Sequence, residues 1–235
     1  YIDIDIALMF HPGDCYAAEI SSLAMDALEF VFTGKAAHAA ACPQEGINAL
    51  DAVLSFFGGI NALRQQLYRE VSIHGIITEG GISANIIPER ATARFYIRAQ
   101  HQALLEPVVE KVKQCARGAA LMTGTSVEWR NFEYSYKGML SNPTLVSLCR
   151  DNLYNLGVKD LVGHRETKGS LDMGNVSQVV PSLHPYLRLQ SNLVPHSRQF
   201  AEAAGSQAGA EVLSLAVKLL AWMALDIFLN PYLAE

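Results

Sequence analysis

The chain has 235 residues, half of them apolar and 17% charged, a balance that excludes disorder and allows a sizeable buried core. Lys and Arg total 18 against 23 Asp and Glu, a net charge of −5, whereas a phosphate-backbone binder needs clustered positive charge. No uninterrupted apolar run reaches bilayer length and no secretory signal pattern is present, so neither nucleic acid nor a membrane is an expected partner.

The chain opens Tyr1-Ile2-Asp3-Ile4-Asp5 without an initiator Met and reads as though it begins in mid-domain. Asp3 to Phe10 is expected as a strand. Ala27 to Thr33 alternates, with Leu28, Phe30 and Phe32 on one face and Glu29 and Thr33 on the other, the period of a half-buried strand. Ile47, Leu50, Val53, Leu54, Phe57, Ile60, Leu63 and Leu67 recur at three-to-four spacing, which predicts an amphipathic helix. Val71 to Thr78 is β-branched and ends at the turn Gly80-Gly81. Thr92 to Arg98 alternates again, a second helix runs from Leu105 through Ala119 until Gly124 stops it, and Thr125 to Tyr134 returns as a strand.

That order is βαββαβ, a ferredoxin-like unit of four antiparallel strands with two helices on one face. Its flanks are incomplete by themselves. Pro143 to Leu156 is expected as a helix closed by Gly157, Val176 to Leu189 as a strand-bearing segment, and Arg198 to Leu229 as one long apolar helix ending near Pro231. The expected fold class is α/β: an incomplete αβα catalytic domain (residues 1–26 and 136–235) interrupted by a βαββαβ lid or dimerisation domain at 27–135.

The cysteines Cys15, Cys42, Cys115 and Cys149 lie far apart with no C-x-x-C spacing, and read as reduced thiols in a cytoplasmic protein. No H-E-x-x-H, G-x-S-x-G, P-loop or Rossmann pattern occurs. The remaining candidates are histidines in unusual settings. His11 directly follows a strand, in His11-Pro12-Gly13-Asp14, where α/β folds face their ligand crevice; a strand-end surface histidine is the plain alternative. His38 sits among small residues in Lys35-Ala36-Ala37-His38-Ala39, placed to donate to an oxyanion or simply to occupy a loop. Asn85 offers a donor and an acceptor, and Arg98 suits bidentate carboxylate binding; a turn asparagine and a solvated arginine fit the same positions. Gly169 and Ser170 lie where periodicity lapses, either a carboxylate-holding loop or an ordinary turn. His184 precedes a Pro, and His196 precedes Ser197, a good N-cap. His74, His101 and His164 carry no supporting context.

The segments ALMFHPGD (7–14), FVFTGKAAHAA (30–40), PQEGINALDAV (43–53), GGISANIIPERATARFYIRA (80–99), GSLDMGNVSQVVPSLHP (169–185) and PHSRQFAEAAGSQAG (195–209) together resemble the dinuclear-zinc amidohydrolase and peptidase family. That family includes aminoacylase, the auxin-conjugate amidohydrolases, p-aminobenzoyl-glutamate hydrolase and the β-alanyl-lysine dipeptidase type. The resemblance implies hydrolysis of an amide in an N-acyl amino acid or dipeptide bearing a carboxylate, by water activated on two zinc ions (with manganese or cobalt as substitutes). By the same resemblance His11 and His196 are metal ligands, with His184 the alternative for the second. His38 is the lid histidine that reaches a partner's site in a homodimer. Asn85 and Arg98 clamp the substrate's carboxylate end, and Gly169 and Ser170 form a substrate loop.

The family's first metal-binding stretch, its bridging carboxylate and its paired glutamates are absent from these residues, so the chain alone is expected to be inactive, as the C-terminal part of such an enzyme. The competing expectation is a non-catalytic fragment or pseudoenzyme that dimerises or binds a small molecule. RNA binding by the βαββαβ sheet is the weakest reading, because the strand Ala91 to Arg98 lacks an RNA-recognition pattern.

Overall fold

The computed structural model describes residues 3–230; Tyr1 and Ile2 of the opening and Pro231, the expected stop of the last helix, lie outside the described residues. The chain divides into two compact units, Ala24–Tyr136 and the segments on either side of it.

The first flanking segment carries β1 (Ala7–Leu8), β2 (His11–Gly13), β3 (Tyr16–Ala17) and β4 (Ile20–Ser21). The inner unit then runs β5 (Ala24–Thr33), α1 (Ala49–Arg64), β6 (Ser72–Glu79), β7 (Arg90–Ala99), α2 (Gln102–Thr123) and β8 (Ser126–Asn131). Its strands form one sheet in the order β6-β7-β5-β8, with every neighbour antiparallel. The alternation in β5 and β7 drives Leu28, Phe30, Phe32, Ala93, Phe95 and Ile97 into a core shared with Ala52, Val53, Phe56 and Ile60 of α1 and Leu105, Val109, Val112 and Ala116 of α2. The spacing of those helical residues puts them on one stripe each. Asn48 caps α1 by accepting from Leu50 N and Asp51 N. Gly124 ends α2 at φ 74°, the left-handed C-terminal position that glycine takes without steric penalty.

The other sheet face is not simply solvated. Glu29 faces away from the helices, yet its side chain is only 7% exposed, because Arg94 of β7 and Arg130 of β8 close over it at 2.7 Å and 2.6 Å. Hydrogen bonds from Arg94 and then Arg130 hold its pKa below the ordinary 4.5, against the opposing effect of burial. A carboxyl with a lowered folded pKa adds stability above its unfolded value, and that stability is lost as pH falls through the folded value. The Arg94 and Arg130 side chains stay 44% and 72% exposed, so water screens these pairs. Glu29→Gln is therefore expected to lower stability by about 1–3 kcal/mol, below the range for fully buried pairs. Urea unfolding at pH 7 should show the loss, and it should shrink as pH drops below about 4.5, where wild-type Glu29 begins to protonate when unfolded.

The second flanking segment carries α3 (Pro143–Asn155), β9 (Leu161–Val162), β10 (Arg165–Glu166), α4 (Met173–Val176), β11 (Ser182–Leu183), β12 (Tyr186–Arg188), α5 (Arg198–Ala204) and α6 (Gln207–Leu229). Its strands are short. β1 pairs with β11 and β4 with β10, both parallel, and a further four-stranded sheet has the order β2-β12-β3-β9. The core joins Leu145, Cys149 and Leu153 of α3 to Leu183, Leu187 and Leu189 and to Val212, Ala216, Leu219 and Met223 of α6. Burial pushes the Cys149 thiol up to about 12, which makes it unreactive at neutral pH. All four cysteines are free thiols, with Cys149 the buried one.

Several expectations change here. Within Asp3–Phe10 only Ala7–Leu8 is strand, but backbone pairing resumes through His11–Gly13. His11 thus lies inside a paired segment rather than beyond one. The last helix is broken at Gly205-Ser206 into α5 and α6, with Ser197 accepting from Phe200 N to start the first. Gly209 permits the tight junction, since an added Cβ would stand 2.0 Å from Ala204 O. α6 is long and apolar enough by length and composition to cross a membrane, although Glu211, Lys218 and Asp226 interrupt its apolar run. One stripe of it, Val212, Ala216, Leu219 and Met223, is buried in the core just described, while Leu213, Val217, Leu225 and Phe228 on its other sides are exposed.

Candidate active site

In the flanking unit, β2 and β12 run parallel with Tyr186 opposite His11, and His11 N donates to Pro185 O at 3.0 Å. This register brings His184, from the bend between β11 and β12, alongside His11. The two imidazoles stack with ring centroids 5.9 Å apart, and Tyr186 stacks on His11 at 5.1 Å. Behind Tyr186, the Arg165 guanidinium lies 4.6 Å from the ring centroid and is ion-paired with Asp14. A side chain at Gly13 would put its Cβ 2.5 Å from Tyr186 Cδ1, so glycine is what lets the tyrosine ring lie against the strand.

The pair's chemistry follows from its surroundings. His11 Nδ1 lies 2.7 Å from Pro12 O, a contact that favours a proton on Nδ1 and leaves Nε2 with its lone pair. His184 is 2% exposed, and neither of its ring nitrogens has a hydrogen-bond partner. Burial first, and then the neighbouring His11, lower its pKa to about 4, with Asp172 opposing the shift. A buried neutral imidazole with two unsatisfied nitrogens is costly in isolation and is the form that ligates a metal. Both histidines therefore fit part of a metal site. Among the described residues no cluster of three or more His, Cys, Asp or Glu is suited to hold an ion.

His196 is exposed at the start of α5 and is not among the rings stacked on His11; its φ of 62° is the left-handed region, a conformation that non-glycine residues hold at a cost and often at functional positions. Gly169 O accepts from Leu23 N at 2.8 Å, and the Ser170 hydroxyl is buried without a hydrogen-bond partner. Asp172 of the same loop is close enough to act on His184.

In the inner unit, the loops that carry His38 and Asn85 pair with each other: Ala39 N donates to Asn85 O at 2.9 Å, and His38 bridges Ile86. The backbone amides of Ala40 and Ala41 donate to His38 Nδ1 at 3.2 Å and 3.1 Å. An Nδ1 that accepts must be unprotonated, so Nε2 carries the proton and is an exposed donor. Ser83 Oγ occupies Asn85 Oδ1 at 2.6 Å, which leaves the amide NH₂ as the donor side. A cavity of about 430 Å³ opens beside this loop pair, lined by Ala39, Leu50, Gly81, Ser83 and Ile86 among others.

Arg98 does not join them. Asn85 lies in the connection before β7 begins at Arg90, and Arg98 is near the far end of that strand, opposite Met25 and Ser72. Eight residues of extended chain separate the two ends by about 26 Å. Within one protomer, Asn85 and Arg98 are therefore too far apart to hold one small substrate's carboxylate together.

The sequence did not point to Tyr186, Arg165 or Asp14. Its one available signal for the histidine pair was the repetition of a His-Pro step after an apolar run, at His11 and again at His184.

Residues 24–121 match the family model described as the peptidase dimerisation domain. Over 99% of its length the chain is 38% identical to the Xaa-Arg dipeptidase of Mus musculus, covering 55% of that protein. It is 35% identical to one of the subunits of p-aminobenzoyl-glutamate hydrolase of Escherichia coli (strain K12), over 67% of the chain and 33% of the relative. Residues 24–121 thus match the M20 peptidase dimerisation domain, and the chain as a whole is similar to dipeptidases and amidohydrolases. Solved structures share the fold: an aminobenzoyl-glutamate utilization protein from Klebsiella pneumoniae superposes with a TM-score of 0.74 at 20% identity, over 96% of this chain and 55% of that one. A Bacillus subtilis protein described as a dinuclear metal-binding peptidase of the M20 family gives 0.67 at 17% identity, over 94% and 57%. The chain spans about half the length of the curated relatives it matches.

Proposed function

We propose that this chain carries part of the site of a metal-dependent hydrolase that cleaves the amide bond of a dipeptide or N-acyl amino acid, in the manner named for its dipeptidase relatives. The observation that carries the reading is the His11–His184 pair, two imidazoles brought together by β2 and β12 with nitrogens left over for a ligand. His11 and His184 would hold the metal, with His196, which the family resemblance makes a ligand, as a further one; zinc suits such nitrogen donors. A bound zinc ion would acidify its water and polarise the amide carbonyl. The buried Ser170 hydroxyl is available to the substrate. His38, with its proton held on Nε2, suits donation to the oxyanion that forms at the carbonyl.

The separation of Arg98 from His38 and Asn85 supports a homodimer. A substrate whose carboxylate rests on Arg98 of one protomer meets His38 and Asn85 only from a second copy of the inner unit, in keeping with the dimerisation domain it matches.

Equilibrium dialysis against zinc is the direct test. With only part of a site's ligands, the wild-type chain is expected to bind zinc weakly, and His11→Ala and His184→Ala each to lose most of that binding; equal binding in all three would remove the basis of the proposal. Sedimentation equilibrium should give a dimer, and a monomer at all concentrations would remove the shared-site reading.

A further inference from the structure

The two imidazoles proposed to hold a metal are poorly fixed by polar contacts. Neither ring nitrogen of His184 has a hydrogen-bond partner, and His11 reaches only Pro12 O, the carbonyl of the next residue. Metal-ligating histidines ordinarily donate their second ring N–H to a carboxylate, carbonyl or water that holds the ring plane. Here an aromatic ring stands in that place. Tyr186 stacks against both histidines, at 5.1 Å and 28° to His11 and at 5.9 Å and 25° to His184.

Tyr186 is in turn held from outside its own three-residue strand. The Arg165 guanidinium lies 4.6 Å from its ring centroid. The Arg165 side chain is only 22% exposed, so water weakens this cation–π attraction less than at an open surface. Arg165 enters from β10, where its backbone N–H donates to Glu19 O at 3.0 Å. Its Nη1 donates to Asp14 and, at 2.8 Å, to Cys15 Sγ. Asp14 and Cys15 follow directly on β2, the strand that carries His11. The contacts thus close a circuit, from His11 along the backbone to Asp14, across Arg165 to Tyr186, and back to His11.

We infer that Arg165 is a positioning residue for the histidine pair: by clamping Tyr186 it fixes the planes of both imidazoles, and so the directions of the lone pairs offered to a metal. The inference rests on the proposal that His11 and His184 hold the metal. Electrostatics alone assigns Arg165 the opposite role. A positive charge near the pair repels a divalent cation, and its ion pair with Asp14 takes up a carboxylate that would attract one. Replacing Arg165 by a neutral residue therefore tightens metal binding if charge decides, and weakens it if orientation decides.

Calorimetric zinc titration of the whole chain, well below its melting temperature, reads that sign. Arg165→Gln is expected to weaken zinc binding about tenfold, the low end of the losses for groups that orient ligands. Tyr186→Leu, which removes the ring and leaves both charges, should weaken it by a similar factor. Unchanged or tighter binding in either variant would overturn the inference. A second readout needs no metal. In long-range proton–nitrogen spectra of the chelator-treated chain, wild type should give one sharp set of ring signals for each of His11 and His184, and Arg165→Gln should broaden or double them. Identical spectra in the two proteins would likewise overturn it. His11→Ala and His184→Ala separate the two levels. If they bind zinc as wild type does, the metal reading falls; if they lose zinc and Arg165→Gln does not, only the role of Arg165 falls.

Discussion

Gly34→Ala is expected to lower the stability of the inner unit by about 3 kcal/mol or more, the upper end of overpacking costs. Gly34 sits where three segments meet. Its N–H donates to Glu89 O at 2.7 Å, and the next residue, Lys35, exchanges both backbone hydrogen bonds with Ile47 at 2.9 Å. A Cβ at Gly34 would lie 2.0 Å from Ile47 O. Backbone cannot swing away as a side-chain tip does, so the bridge between Lys35 and Ile47 must open. The loops bearing His38 and Asn85 are anchored by that bridge, and the alanine variant should therefore also disturb the oxyanion donor. Urea unfolding followed at Trp129 of β8, in a Trp222→Phe background that silences the other tryptophan, reads the inner unit by itself. An unchanged midpoint would mean that the close approach at Gly34 is not required.

The inner unit was legible because its elements announce themselves locally. Alternation in β5 and β7, three-to-four spacing in α1 and α2, and Gly124 as a C-cap are properties of neighbouring residues, and they gave the order of elements that the sheet β6-β7-β5-β8 displays. Alternation also put Glu29 on the outer face, but it tells only which side a residue takes. That Arg94 and Arg130 would cover it depends on the register of β5 with two other strands. The flanking unit was less legible for the same reason. Its strands are two or three residues long, too short to show a period, and they exist because segments far apart in sequence pair. His11 accordingly looked like a residue just past a strand, while its meeting with His184 was set by the parallel pairing of β2 with β12. The resemblance to the family placed His11 and left His184 as an alternative to His196; geometry brings forward His184. Motif spacing did not show that Asn85 and Arg98 of one protomer lie at opposite ends of β7, because it carries no length scale, whereas a β-strand does.

His184→Leu is expected to make the metal-free protein more stable, by about 1–3 kcal/mol, while abolishing zinc retention at the pair. The substitution places an apolar side chain of similar bulk at a position 2% exposed and removes two buried nitrogens that have no partner, each a desolvation cost in the native state. The pH dependence supplies a second sign. The folded pKa of His184 is about 4 against an ordinary 6.5, so between those values the unfolded chain binds the extra proton and stability rises with pH. Wild type should accordingly lose stability as pH is taken from about 6.5 down towards 4, and the leucine variant should lose less over that window. Zinc reverses the order: ligand binding to the native state stabilises wild type by mass action, and the variant gains little. Thermal melts at pH 7.5 and pH 5, each with chelator and with zinc, separate these effects. A leucine variant that is less stable than wild type in chelator would show the imidazole satisfied by contacts other than a metal. A buried polar group that weakens the fold it sits in is the signature of a residue kept for its chemistry, and His184 is the place in this chain where that conflict is sharpest.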